Sequence, residues 1–580
     1  MVSLRSFVFI AFFAVVANAG LRCHQSAISQ QNNEIGFEDT DFVICPSNVS
    51  YCLSEYSNDG NQFVYRLGCD NDNICDGIDG CFEDLGTWKR ICCCNESLCV
   101  DPEAASPITF PLPKSIIFGS ATSSAQIEGF QRADGAGSSV WNVLSKRKGV
   151  IRDNSSFDVA CDSYHRWRDD IRILKELGAQ SYRFSIGWNR ILPDGDPRKI
   201  NRAGIDYYNQ LINGLIEAGI RPVVTMFHLD YPQALMDRGG WLNEAIIDSF
   251  ANYARILFEN FGDRVRTWIT INEPIVVAIT ESSCGVYEFD KKHDSLCESG
   301  MYFRGYTLLM AHAKAAEIYR REFGHQNGRI GIAINGPFVY PATNDAADIE
   351  AANRMLEFAF FQFSDPLIFG DYPDLMKTVI RNLSINGHHR SASRLPELTD
   401  AEKQLLKGSV DFIALIYYSS VSVRDAVFDS GDMFHNFSVN FDTGVTGNMD
   451  LMGYAPNGIR DLLRAFNDRY PGVSLMIAEN GCEDKEGEGL NDAHRIHYLR
   501  GHLAAISQAV VFDGVNLTDY LVWTLMDNWE WMSGFSVKMG LFHVDFKSPN
   551  KTRTPKKSAH FFRDVIQDRV LPGFGPSDYH

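Results

Sequence analysis

The stretch Val265-Arg266-Thr267-Trp268-Ile269-Thr270-Ile271-Asn272-Glu273-Pro274 decides the fold. It is apolar and β-branched for most of its length, then ends on a carboxamide and a carboxylate ahead of a proline. That is the composition of a strand buried on both faces with a polar tip. A proline disfavours helical backbone in the residue before it, so Glu273 is expected to stay extended and no helix to start there. A second run, Leu475-Met476-Ile477-Ala478, ends in the same way on Glu479-Asn480-Gly481.

Working outward, the strand candidates in chain order are Ile116–Ser124, Ala179–Trp188, Arg221–Asp230, Val265–Pro274, Arg329–Phe338, Val410–Ser420, Val473–Gly481 and Thr518–Asp527. Between them lie stretches with apolar residues at three- and four-residue spacing: Asp162–Leu177, Ile205–Ala218, Asn243–Phe261, Tyr306–Phe323, Ile349–Phe363, Gly458–Arg469 and Asp492–Val511. Eight strands alternating with helices predict an α/β fold, a closed (β/α)8 barrel with long loop insertions. The pattern alone also admits an open doubly wound sheet. No Gly-rich phosphate or dinucleotide signature follows any strand, which counts against nucleotide chemistry.

In a barrel the C-terminal strand ends meet at one face, where active sites are built. Glu273 and Glu479 end strands four and seven and can face one another across the mouth. Two carboxyls so placed are the minimum equipment for cleaving a glycosidic bond: one protonates the leaving oxygen, the other attacks or activates water. Either Glu alone is as readily a member of a structural ion pair. The other ends add Gln126 and Glu128 after strand one, Arg183 on strand two, His228 on strand three and Tyr417-Tyr418 on strand six. Strand eight and the loop beyond it add Trp523, Glu530 and Trp531. Sugars are held by bidentate polar groups for vicinal hydroxyls and by aromatic faces for the C–H side of the ring.

With these residues in place the chain resembles the family-1 glycoside hydrolases, the β-glucosidase, lactase and klotho group, over about residues 108 to 568. The resemblance is carried by Phe118-Gly119-Ser120-Ala121-Thr122-Ser123-Ser124-Ala125-Gln126-Ile127-Glu128-Gly129 and Tyr182-Arg183-Phe184-Ser185-Ile186. It continues in Thr270-Ile271-Asn272-Glu273-Pro274, Ile477-Ala478-Glu479-Asn480-Gly481 and Asp527-Asn528-Trp529-Glu530-Trp531. It implies a retaining double displacement with Glu273 as acid/base and Glu479 as nucleophile. It further implies that Arg183 and Tyr418 orient the nucleophile and that Asn272 binds the 2-hydroxyl. Gln126, His228, Trp523, Glu530 and Trp531 match the glycone-binding shell. A carboxylate at Glu530 would repel a phosphate, so an unphosphorylated β-glycoside or oligosaccharide is expected as substrate. Glu273 argues against the plant thioglucosidases, which lack that residue.

The chain departs from the family pattern at Leu229 and Met539, where aromatic residues usually stand, at Ile416 for Asn, at Phe118 for Trp and at Ala125 for Tyr. These put glucose specificity in question more than hydrolysis. A klotho-like receptor component that binds carbohydrate or protein without turnover is the rival reading, and the intact Glu273/Glu479 pair favours the enzyme. No metal-ligand spacing appears and the mechanism needs no cofactor.

The rest of the chain bears on location. Arg5, the apolar Phe7–Val16 and Ala17-Asn18-Ala19 read as a secretory signal peptide over residues 1–19, too short for a membrane span. Ten of the 14 cysteines lie between Cys23 and Cys99, so residues 20–100 are expected to form a disulfide-stapled module weakly resembling three-finger domains. Such a module could bind a protein or glycan or be a mere appendage. Residues 101–113 read as a proline-rich linker and 114–580 as the barrel. Cys284 and Cys297 flank a short loop and are candidates to pair; Cys161 and Cys482 read as structural thiols. Sequons begin at Asn48, Asn95, Asn154, Asn382, Asn436, Asn516 and Asn550. Together with the leader they point to a secreted, or lysosomal, glycoprotein. A net charge of −19 disfavours nucleic acid and anionic membranes as partners.

Overall fold

The computed structural model describes residues 109–280, 297–387, 389–425, 442–445 and 450–572, together with the backbone of eight strands between residues 22 and 94. The chain divides into two compact units. In the unit that gathers Met1–Lys114, Arg500–Val515 and Asp568–His580, the described strands pair antiparallel, among them Cys52–Asp59 with Gln62–Cys69 and Thr109–Pro111 with Val570–Pro572. The cysteine pairings of the N-terminal module, and Cys284 with Cys297, lie outside the described residues.

The other unit holds the barrel. Its elements run β1 (Ile117–Ala121), α1 (Ser163–Leu177), β2 (Ser181–Ser185), α2 (Arg202–Glu217), β3 (Arg221–Phe227), α3 (Ala245–Phe261), β4 (Thr267–Asn272) and α4 (Cys297–Ile318). They continue β5 (Arg329–Asn335), α5 (Ala346–Leu356), β6 (Phe412–Ile416), α6 (Pro456–Arg469), β7 (Ser474–Asn480), α7 (Ala493–Val511), β8 (Leu517–Trp523) and α8 (Lys557–Asp568), α7 from Arg500 onward and Asp568 of α8 belonging to the first unit. The eight strands form a closed barrel in sequence order. Closure is made by β8 lying parallel to β1, with Ile117 opposite Asp519 and Ala121 opposite Trp523. That removes the open-sheet alternative. Each predicted strand lies on one barrel strand, because buried parallel strands read as continuous apolar runs.

The bore is packed by side chains of alternating size. Ala121, Ala333, Ala414 and Ala478 are small, and Val223, Ile269, Met476 and Leu521 fill the space they leave. Ile416 and Trp523 cap this cluster at the C-terminal end. The strand register shifts between Ile269 and Asn272 on β4, between Leu415 and Ile416 on β6, and between Ile477 and Asn480 on β7. Such irregularities re-aim side chains; those on β4 and between Ile477 and Asn480 fall at the strand ends that carry Glu273 and Glu479, while a further shift lies between Leu475 and Met476.

One sequence expectation is overturned. Glu273 is not extended but left-handed, with φ 48°, and Pro274 does begin a helix, Pro274–Thr280. Proline lacks the N–H that a first-turn residue leaves unpaired, and its fixed φ suits that position. The same proline bars Glu273 from right-handed helix, so the chain turns through positive φ instead. The Glu273 N–H donates to the Ala333 carbonyl at 2.9 Å, and its own carbonyl accepts from Val276 at 2.9 Å and Val277 at 3.2 Å. The carboxyl is thus carried on a rigid strand-to-helix corner.

Candidate active site

Glu479 stands near the end of β7, and side chains carried by β2, β3 and β4 on the far side of the barrel frame its surroundings. Arg183 of β2, fully buried, donates from Nη1 to Glu479 Oε1 at 2.6 Å and to the Ala478 carbonyl at 3.2 Å. Its Nε donates to Thr225 Oγ1 of β3 at 2.9 Å, and its Nη2 to Asn272 Oδ1 of β4. The Tyr418 hydroxyl donates to the other carboxylate oxygen, Oε2, at 2.8 Å. Burial and the Glu479 charge keep that phenol protonated. Burial pushes Glu479 up, while Arg183 and Tyr418 oppose the rise.

Glu273 lies close enough to be pushed up to about 8, first by burial, then by the Glu479 charge, with Arg183 opposing and Glu530 adding. Among the described residues, neither a cation nor a hydroxyl hydrogen-bonds its carboxyl as they do that of Glu479. In a coupled pair the proton stays on the group whose anion is less well held. Glu479 therefore ionises first and Glu273 keeps the proton, an arrangement in which one carboxyl can attack while the other donates.

A polar and aromatic wall stands beside the pair. Asn272 Oδ1 faces Arg183, so its Nδ2 points to His228 Nε2, at 3.3 Å. Burial, then Arg183, lowers the His228 pKa, so the ring is neutral. With Nε2 accepting from Asn272, the ring hydrogen sits on Nδ1, which is buried without a partner among the described residues. Gln126 Nε2 donates to Asn528 Oδ1 and to Glu530 Oε2, each at 3.1 Å. Glu530 Oε1 makes no well-formed hydrogen bond among the described residues, although the Asn528 and Trp523 side chains lie near enough to the carboxyl to offset part of its rise. An unpaired buried donor and acceptor cost free energy until a ligand supplies hydroxyls. The His228 ring stacks on Trp523 at 5.6 Å and on Trp531 at 6.0 Å between centroids.

Ten residues singled out in the sequence thus converge here: Gln126, Arg183, His228, Asn272, Glu273, Tyr418, Glu479, Trp523, Glu530 and Trp531. Two others do not. Glu128 turns away to pair with Arg190 at 2.9 Å and accept from Tyr208 at 2.6 Å, and the Tyr417 hydroxyl bonds Ser420 and the Ala455 carbonyl. Of the departures, Phe118 packs against Tyr520 and Phe562, outside the bore. Ile416 and Met539 line or abut the bore cluster. Leu229 sits at φ 63°, its carbonyl accepting from Trp141 Nε1 at 2.9 Å.

Thr225, Asn528 and Trp141 were missed by sequence reading. Trp141, on a short helix capped by Ser139 and Asn142, packs on Trp531 at 4.7 Å. No periodicity marks it. Asn528 does carry a sequence signal, its place two residues before Glu530 in the loop after strand eight. Cys161 and Cys482 are free thiols that burial pushes up, Cys482 to about 12. Among the described residues no cluster is arranged to hold a metal ion, and no helix is long and apolar enough to cross a membrane.

Paired carboxyls of unequal acidity beside a stacking wall, at the C-terminal rim of a (β/α)8 barrel, define a glycoside hydrolase. Residues 108–570 match the sequence model of glycosyl hydrolase family 1, and the chain belongs to that family. It is similar to Beta-glucosidase 40 of Arabidopsis thaliana, 39% identical over 482 residues covering 78% of this chain and 92% of the relative. Myrosinase 1 of Brevicoryne brassicae is 41% identical over 472 residues, covering 79% and 98%. A solved structure of a rice β-glucosidase mutant in a covalent complex with Glc matches with a TM-score of 0.71 at 36% identity, covering 78% of this chain and 98% of that one.

Proposed function

We propose that the protein is a secreted, retaining β-glycosidase that hydrolyses unphosphorylated β-glucoside-like substrates by double displacement. The observation that carries this reading is the asymmetry of the two glutamates: Arg183 and Tyr418 hold Glu479, whereas Glu273 retains its proton up to about 8. Glu479 attacks the anomeric carbon while Glu273 protonates the leaving oxygen, giving a glycosyl ester on Glu479. Esterification removes the Glu479 charge, one of the causes that raised Glu273. Glu273 then ionises more readily and takes a proton from the attacking water, and Glu479 leaves as a carboxylate. The rice relative's covalent complex with Glc supports this intermediate.

Asn272, Gln126, His228, Trp523, Glu530 and Trp531 serve as the glycone site, with the unpaired His228 Nδ1 and Glu530 Oε1 as its donor and acceptor. A buried carboxyl at Glu530 disfavours a phosphorylated sugar. The relatives include a β-glucosidase and a myrosinase; a general acid at Glu273 serves an O-linked leaving group more than a thiolate, which departs unaided. Secretion rests on the leader and on the exposed asparagines of four sequons, Asn154, Asn382, Asn516 and Asn550. The division into leader 1–19, cysteine-rich module 20–100, linker 101–113 and barrel 114–580 goes with it, the module offering a surface to a protein or glycan.

The test is hydrolysis of a panel of aryl β-glycosides and their S-linked analogues, beside Glu479→Gln, with the first-formed anomer followed by NMR. Turnover of O-glycosides with a β product, abolished by the substitution, is expected. An α product would overturn the retaining mechanism, and no turnover at any pH would overturn the enzymatic reading.

A further inference from the structure

One fully buried cation lies beyond reach of the reacting atoms and still joins two loops of the site. Lys556 precedes α8, its backbone N–H bonded to the Leu541 carbonyl at 2.9 Å. Its Nζ donates to both carboxylate oxygens of Asp484, at 2.9 and 2.7 Å, and to Asp527 Oδ1 at 2.7 Å. Asp484 stands in the loop leaving β7 just beyond Glu479. Asp527 opens the loop leaving β8 that carries Asn528, Glu530 and Trp531.

Further bonds brace the same two loops. Arg495 of α7 donates to Asp492 Oδ2 at 2.6 Å, to the Gly540 carbonyl at 3.0 Å, to the Cys482 carbonyl at 2.9 Å and to Asp484. Asp527 also accepts from the Gly540 N–H at 3.1 Å and meets the His543 ring at 3.0 Å. A buried ion network of this kind adds little stability over apolar packing of the same volume, because each charge gives up its hydration. Its value lies in geometry: Nζ can sit between Asp484 and Asp527 only when the two loops hold one separation.

We propose that Lys556 is a positioning residue that clasps the loop bearing Glu530 and Trp531 to the loop beyond Glu479, so setting the sugar wall against the nucleophile. This rests on the reading of Glu530 as a sugar ligand given above. It makes Lys556 a determinant of glycone binding although it touches no substrate.

The test is a double-mutant cycle on the full chain with an aryl β-glucoside: wild type, Lys556→Met, Glu530→Gln and the double variant, each checked for folding by thermal melt. Lys556→Met is expected to raise KM roughly 10- to 100-fold, the effect of losing one or two hydrogen bonds to the sugar, with a smaller fall in kcat. In the Glu530→Gln background the same change is expected to cost several-fold less in kcat/KM than in wild type, because one of the two groups it positions is already lost and only Trp531 remains. Equal losses in both backgrounds, or a loss in kcat with KM unchanged, would mark Lys556 as structural only and overturn the proposal. Should Lys556→Met not fold, Lys556→Arg keeps the charge on a longer, planar head; a KM several-fold above wild type supports the clasp, and an unchanged KM overturns it. If Glu530→Gln alone leaves kcat/KM untouched, the sugar-ligand reading of Glu530 fails, and the proposal with it; failure of the clasp alone shows only in the cycle.

Discussion

Replacing Glu530 by Gln should make the protein more stable at neutral pH and leave it nearly unchanged in acid. Burial, and after it the Glu479 charge, pushes the Glu530 carboxyl from its ordinary 4.5 up to about 8. The folded state therefore holds a proton that the unfolded chain gives up, so the penalty is absent below the ordinary value and grows until the pH passes the folded one. For a carboxyl so shifted the linkage cost is about 1 kcal/mol at pH 5 and about 4 kcal/mol at pH 7.5. Water reaching the mouth of the site trims the latter to roughly 2–4 kcal/mol. Gln keeps an oxygen to accept from Gln126 but carries no ionisable proton. A domain of this size unfolds with an entropy of about 1 kcal/mol per degree, so Glu530→Gln should melt about 2–4 °C above wild type at pH 7.5 and within about 1 °C at pH 5. Scanning calorimetry at the two pH values decides it. A gain equal at both, or a loss at pH 7.5, would refute the assignment of the raised pKa to a buried, poorly compensated carboxyl.

Two other substitutions test the site from different sides. Tyr418→Phe deletes the bond to Glu479 Oε2, and a hydrogen bond to a charged group is worth about 1.5–3 kcal/mol; the acid limb of the pH–rate profile should move to higher pH. The step in which Glu479 leaves as a carboxylate should slow by up to about 100-fold, visible as a pre-steady-state burst, and a profile unmoved in acid would count against the role given to Tyr418. Gly481→Ala places a methyl 1.9 Å from the Trp523 carbonyl oxygen, backbone that cannot yield without parting β7 from β8. It should cost about 3 kcal/mol in stability, the upper end of the usual overpacking range, measured by denaturant unfolding, with activity lost in the folded fraction.

The barrel could be read from the chain because every strand is buried on both faces and announces itself as an apolar run. The two glutamates were legible for the same reason: an acid at the end of such a run has few structural uses. The conformation at Glu273 was not. Two properties of proline compete there, exclusion of helix from the residue before it and preference for the first turn of a helix after it, and both prevail once Glu273 takes positive φ. Glu128 was placed with Gln126 by proximity in sequence, but the short helix Ser124–Ile127 and the buried Arg190 send the two apart. Trp141 and Thr225 escaped because each enters the site only through a contact distant in sequence, Trp141 with Trp531 and Thr225 with Arg183, which no local pattern records.

Arg183 couples packing to turnover. A guanidinium is flat and stiff, and here its donors are spent on three other barrel strands: β3 through Thr225, β4 through Asn272 and β7 through Ala478 and Glu479. Any change in the tilt of one of those strands is passed on to the carboxylate as a rotation. Methyl groups gained or lost deep in the bore, at Val223 or Ile269 beneath the site, therefore act as a fine adjustment on rate. An engineer screening this enzyme should find useful variants among side chains that no sugar ever meets.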